Sequence, residues 1–302
     1  IVTDHNTLAP LRDGKQGWYG MTLVLVGTEI SAPGGHYVAV NVREEISRQQ
    51  STQAIIDAVN RQGGLGFIAH PYFKKRRWTD WTVRGFTGIE AYNLLHDAFD
   101  ENRLRLALWG LGATPSQLYL SLVDRPYDPL ATWDELLARH GRVVGIGASD
   151  AHEVRLFGLK FAPYDILFQL VRTHLLVRQR PLTEAAVYEA LREGHAYLAI
   201  DLVTDASGFA FMAHTNTNVL GVMGDEVPLV ADLTLTTLLP APASLTLFRD
   251  GRPIETASTH WWQVLITEPG IYRVEAVRNG KPWIFSNPIY VRMPPTPEGP
   301  AH

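Results

Sequence analysis

Up to about residue 203, short apolar runs of β-forming residues alternate with stretches of helical periodicity. This alternation constrains the fold more than any other feature. Runs at 21–26, 37–42, 65–69, 88–92, 143–148, 174–177 and 196–200 read as strands. Between them, 52–62, 98–111, 115–123, 132–140, 163–171 and 183–193 space their apolar residues for helices. Ile55, Ile56 and Val59 make one such stripe, stopped by Gly63 and Gly64. Thr132 with Glu135 reads as a capping box, and Thr183 caps a helix that Gly194 closes. Residues 8–20 read as loop. Such alternation predicts βα units and a mainly parallel sheet.

The character changes after residue 205. Strand-like runs at 209–213, 232–238, 244–249, 261–266, 272–277 and 283–291 are separated by turns such as Arg278-Asn279-Gly280, and no helical pattern intervenes. The expected organisation is an α/β barrel over 1–203, a small antiparallel, immunoglobulin-like β-sandwich over 207–293, and a Pro-rich tail over 294–302.

Composition closes several alternatives. The net charge of -4 and the lack of basic blocks argue against nucleic acid as the main partner. No apolar run approaches the length of a membrane span. There is no cysteine, so disulfides and thiolate ligands are excluded. The chain opens on Ile-Val-Thr-Asp-His without methionine, which reads as a fragment or a processed chain and leaves the compartment, cytoplasmic or secreted, open.

Ionisable side chains fall repeatedly just after the expected strands. Asp4 and His5 follow the first apolar run. Glu29 follows the second, and His36 lies across the Pro33-Gly34-Gly35 turn. His70 ends another run, and Asp150 and His152 a further one. Strand-end residues converge at the C-terminal rim of a βα barrel. A cysteine-free set of His, Asp and Glu suits Zn, Mn or Fe, and a bridging carboxylate with flanking histidines is a common way to hold two metals. Lys74, Lys75, Arg76 and Arg77 follow His70 closely and could clamp a phosphate, as could Arg155. Tyr72 and Asn93 are candidate pocket residues. Glu90, His96, His140, His174, His195, His214 and His260 lack motif context and read as structural. Trp261, Trp262 and Trp283 read as core or interface residues.

These residues also carry a resemblance. TDHN at 3–6, the Glu29/His36 pair, IAHP at 68–71 and GASDAH at 147–152 resemble the ordered motifs of the PHP (polymerase and histidinol phosphatase) family. The short spacing from Glu29 to His36 and the C-terminal β region ending in PWIFSNPIYV are most similar to the carbaryl-hydrolase (CehA/McbA-type) branch. The resemblance implies a distorted (β/α)7 barrel, here lacking its first strand, with two or three divalent ions and a small-molecule ester substrate, foremost a phosphate ester. Glu29 would bridge two metals. His36 and His70 would complete the second metal's ligands, Asp150 would bind the first, and His5 and His152 the third. Asp4 would orient His5 or a bound water, and a hydroxide shared by metals would attack. Asp4, Glu29, His70 and Asp150 are thus the expected catalytic set. The family's His-x-His-Thr motif is absent, so the resemblance implies an impaired centre in this chain. The alternatives are a carboxyl or carbamate ester hydrolase using the same centre, and a non-catalytic binding protein with a degenerate barrel.

Overall fold

The structure, a computed structural model, describes residues 1–93, 114–151, 155–156, 159–160 and 164–294. The helix expected at 98–111 lies outside them. In chain order the first part comprises β1 (Val2–His5), α1 (Ala9–Arg12), β2 (Gly17–Tyr19), β3 (Thr22–Val24), β4 (Val26–Ala32), β5 (Gly35–Val40), α2 (Thr52–Arg61), β6 (Leu65–Ile68) and β7 (Gly88–Asn93). There follow α3 (Pro115–Leu122), α4 (Tyr127–His140), β8 (Val144–Ala148), β9 (Arg155–Leu156), β10 (Leu159–Lys160), α5 (Tyr164–Leu170), β11 (Arg172–Leu175), α6 (Glu184–Glu193) and β12 (Ala196–Ala199). The remainder is all strand: β13 (Ala210–His214), β14 (Val219–Val222), β15 (Glu226–Pro228), β16 (Thr234–Arg249), β17 (Arg252–Leu265), β18 (Gly270–Arg278), β19 (Lys281–Ser286) and β20 (Ile289–Arg292).

The protein is a mixed α/β fold built on two large sheets. The first has the order β1-β4-β5-β6-β7-β8. It is parallel at β1/β4, β6/β7 and β7/β8, and antiparallel at β4/β5 and β5/β6. The expectation of a mainly parallel sheet fails at the β4–β5 hairpin, whose two-residue turn at Pro33-Gly34 permits only an antiparallel return. The sheet curves as a half-barrel, and among the described residues it does not close on itself through strand pairing. β11 and β12, assigned by alternation to the barrel, pair antiparallel with each other, and β12 pairs with β19. Both therefore belong to the second, ten-stranded sheet. Residues 8–20, expected as loop, hold α1 and β2, which pairs as a hairpin with β3 at the start of the stretch expected as a strand at 21–26.

Helix caps follow local chemistry at α2, at α3, where Thr114 and Gln117 form a capping box, and at α6, but not at the expected Thr132. Ser51 accepts from the Ala54 N–H at the start of α2, and Thr183 from the Ala186 N–H at the start of α6. α4 starts five residues before the expected Thr132 cap. Asp128 favours this earlier start by sitting in the positive first turn, and Pro129 is tolerated there because first-turn N–H groups lack helical partners. Thr132 is left inside the helix, where its hydroxyl meets the Tyr72 hydroxyl at 2.5 Å.

The two sheets meet through side chains acting as surrogate peptides. Asn287, 1% exposed, accepts from Gly145 N at 2.8 Å and donates to Gly145 O and Ala196 O, each at 2.9 Å. One turn of strand further along, the Thr173 hydroxyl accepts from Gly147 N at 2.9 Å and donates to Gly147 O at 2.8 Å. The outer edge of β8 is thus satisfied without another strand. Gly145 is required on its opposite count: a Cβ there would lie 2.4 Å from the Trp133 ring.

A buried ion cluster clamps α4 to β18. Arg273, 1% exposed, donates twice to Asp134 at 2.8 and 2.7 Å and once to Glu275 at 2.5 Å. Arg125 forks onto Glu275 with two bonds of 2.7 Å. Burial alone would push the Glu275 carboxyl up, but the Arg125 hydrogen bonds and the Arg273 charge outweigh it and hold the carboxyl low. Trp283 is fully buried, as expected, whereas Trp261 is 52% exposed on the outer strand β17. Among the described residues no helix is long and apolar enough to cross a membrane.

Two outcomes follow. Asn287→Leu should cost on the order of 3–5 kcal/mol in chemical denaturation, because it strands three buried backbone groups at about 1–3 kcal/mol each; a loss below 1 kcal/mol would show that the junction does not depend on this amide. Glu275, with its carboxyl held low, contributes stability above the ordinary carboxylate range, and that contribution is lost as pH falls through its lowered value. The stability gap between the native chain and Glu275→Gln should therefore be wide at pH 7 and shrink on acidification.

Candidate metal centre

The centre grows from the β4–β5 hairpin. Glu29 sits in the middle of β4 opposite Val38, and Ser31 sits opposite His36. Strand alternation places Glu29 and His36 on one face as diagonal neighbours. The sequence reading put both at strand ends; they lie within strands, because β4 runs on to Ala32. The turn between them packs on Trp78: a Cβ at Gly35, where φ is +139°, would lie 2.9 Å from the indole. On the other side of β4, His5 is in register with Glu29. His70 follows β6 and completes the group.

The Glu29 carboxylate is 6% exposed and its two oxygens face different histidines. Oε1 lies 2.6 Å from His36 Nδ1 and 3.1 Å from His70 Nε2, and those two nitrogens are themselves 3.1 Å apart. Oε2 lies 3.8 Å from His5 Nδ1. One ligand atom from each of His5, Glu29 and His36 falls within 4.8 Å of the others. Ligands around a tetrahedral metal with bonds near 2.1 Å stand about 3.4 Å apart. The His36–His70–Glu29 triangle, with sides of 2.6, 3.1 and 3.1 Å, is tighter than that, so a divalent ion fits once these ligands move outward by several tenths of an ångström.

Electrostatics follow from this packing. Burial would raise the Glu29 carboxyl, but hydrogen bonds from His36 and His70 and the nearby imidazoles bring it down to about 2. Burial would lower the His70 imidazole, but its bond to Glu29 and the charges of Glu90, Glu29 and Asp150 raise it. Glu90 is buried behind His70 and is pushed up to about 7, chiefly by desolvation.

Asp4, His5, Glu29, His70, Glu90 and Asp150 share the wall of one cavity of about 1050 Å3. Its floor is apolar, from β5, β6, β8 and α6. Asp150 follows β8 and receives the Asn93 amide at 3.5 Å. His152 and the side chain of Arg155 lie outside the described residues. The described cavity wall does not include Tyr72, Lys74 or Arg76. Lys74 and Arg76 are exposed, and Tyr72 is half-buried against Thr132 and beneath the Arg77 guanidinium, 5.0 Å from its ring. A cation on the described wall is instead Arg172, which no motif marked, held by Asp201 at 3.0 Å. His174 also reaches the wall while bonded to Asp201 at 2.9 Å and stacked on Tyr197. His195 is structural, buried against Asp225 at 2.8 Å.

No family profile matches the chain. Over 73 residues it is 32% identical to the uncharacterized protein MJ1587 of Methanocaldococcus jannaschii, a match covering 24% of this chain and 42% of that one. The chain thus spans less than half the length of the curated relative it matches. In structure it is similar, with a TM-score of 0.42 and 13% identity, to a two-domain protein from Bacteroides vulgatus ATCC 8482 described as containing a predicted PHP-like metal-dependent phosphoesterase, over 95% of this chain and 84% of that chain.

Gly35→Ala should displace the hairpin from Trp78 and carry His36 with it. A loss of about 1–3 kcal/mol in thermal or chemical denaturation is expected, and an unchanged melting curve would show that the turn does not set the site.

Proposed function

We propose that the chain is a metal-dependent hydrolase of ester bonds, acting foremost on phosphate esters of small molecules. The observation that carries this reading is the division of the Glu29 carboxylate, with Oε1 toward His36 and His70 and Oε2 toward His5. A carboxylate divided in this way suits two divalent cations held side by side. In this reading Glu29, His36 and His70 hold one ion, Glu29 and Asp150 contribute to a second, and His5 with His152 to a third. The donor set suits Zn, Mn or Fe. Such ions, when bound, supply Lewis-acid charge and make water a stronger nucleophile. The protein's own part is to keep Glu29 ionised, to hold His36 and His70 in fixed orientations, and to present Asp4 at the mouth of the cavity as an orienting group. Residues 1–203 carry the chemistry, and 207–293 form a supporting β region.

The motif resemblance to the PHP family supports the same reading. A non-catalytic scaffold is disfavoured because Glu29, His5 and His70 converge on the wall of a cavity large enough for a small molecule. The apolar cavity floor favours a second substrate class, carboxyl or carbamate esters with an apolar body, as in the carbaryl-hydrolase-like branch.

The test is metal loading followed by assay. Chain stripped with chelator and reloaded with Zn or Mn should retain more than one ion per chain by elemental analysis and should cleave an aryl phosphate or an aryl carbamate. Glu29→Gln should lower both metal content and turnover, the latter by about 100-fold or more, whereas His214→Ala, on the outer face of the C-terminal sheet, should leave both near the native level. Full metal content in Glu29→Gln would sink the assignment.

A further inference from the structure

β7 supplies no candidate metal ligand, yet it ends in two buried polar side chains, Glu90 at 4% and Asn93 at 7% exposure. Residues three apart on a regular strand point to opposite faces. Here the pairing of β7 with β8 shifts register between Glu90 and Tyr92. Such a bulge re-aims side chains and is common beside functional sites. It brings Asn93 Nδ2 within 3.1 Å of Glu90 Oε2.

Both residues then reach outward to candidate ligands on neighbouring strands. Glu90 Oε2 accepts the backbone N–H of His70 at 2.7 Å. The Asn93 amide reaches Asp150 Oδ2 at 3.5 Å. A continuous line therefore runs from His70 through Glu90 and Asn93 to Asp150. The amide orientation is set by charge, since rotating it would turn Oδ1 toward two carboxylates. Asn93 Oδ1 is buried and makes no hydrogen bond among the described residues. The side chain is thus placed for its donor end alone.

The two residues at the ends of this line share an uncommon backbone. His70 has φ +26° and Asp150 has φ +43°. Left-handed conformations at non-glycine residues persist only where the surroundings hold them, and they gather at functional sites. We propose that Glu90 and Asn93 are positioning residues that couple His70 to Asp150, fixing the backbone of one ligand and the carboxylate of the other so that the metal site is set before an ion arrives. The inference rests on the metal reading above. It assigns a role to Glu90 of GIEAYN, which the sequence alone leaves as structural, and gives Asn93, a candidate pocket residue in the sequence, a positioning role instead.

The experiment is a calorimetric titration of Zn2+ into the metal-free 302-residue chain, alongside Asn93→Leu, Asn93→Ser and Glu90→Leu. Loss of a group that orients metal ligands typically weakens binding by about 10–100-fold. Asn93→Leu and Asn93→Ser should each bind at least about tenfold more weakly, with kcat lowered and KM within about twofold, because Asn93 lies off the described cavity wall. Melting of the metal-free proteins separates this from a purely structural role, which would lower the melting point and leave the affinity of the folded protein unchanged. Should Asn93→Leu fail to fold, the smaller and still polar Asn93→Ser carries the test. Native affinity in folded Asn93→Ser overturns the inference while leaving the metal reading intact. A native chain that takes up no Zn2+ overturns both.

Discussion

The architecture depends on how a sheet edge can end without a neighbouring strand. The odd-numbered peptide groups of β8 point away from β7, into protein rather than water. Buried backbone groups must be paired, and here Asn287 and Thr173 pair them. Each side chain offers one donor and one acceptor, as a peptide does. This lets the half-barrel abut β11 and β12 through side chains rather than through a backbone ladder. The cavity lies between the two sheets and inherits its shape from that junction.

Buried charge is handled in two ways. At the α4–β18 contact, Arg273 and Arg125 face Asp134 and Glu275, so opposite charges meet in fixed forks and the carboxylates stay ionised. That cluster is self-sufficient. Around Glu29 the partners are imidazoles, which are weaker donors and are themselves ligands. The second cluster therefore holds its charge with groups that could also turn to a cation. Glu90 marks the difference: among the described residues it accepts from the neutral His70 N–H and Asn93 amide, and burial pushes it up to about 7.

The ligand candidates were legible because each stands beside a strong local signal. His70 precedes proline, Asp150 follows a glycine-rich strand, and the Pro33-Gly34-Gly35 turn brackets Glu29 and His36. Arg172 and Glu90 carried no such mark. Arg172 belongs to the site because β11 swings to the cavity wall, and Glu90 because a bulge turns it behind His70. Lys74 and Arg76 were suggested by adjacency in the chain, but the tight turns after His70 direct them to solvent.

By itself, the sequence determined the local elements: the apolar stripe of α2, the caps at Ser51 and Thr183, the left-handed stop at Gly194, and the all-strand character after residue 205. These depend on contacts within a few residues, which composition and spacing encode. Tertiary structure alone decided which sheet each strand joined. β12 reads like any barrel strand, but its partner β19 lies more than eighty residues away, and no local pattern specifies that pairing. It likewise decided where the centre lies. Glu29 could meet three histidines only once β1, β5 and the end of β6 were in register around β4, and register is set by burial across the whole sheet.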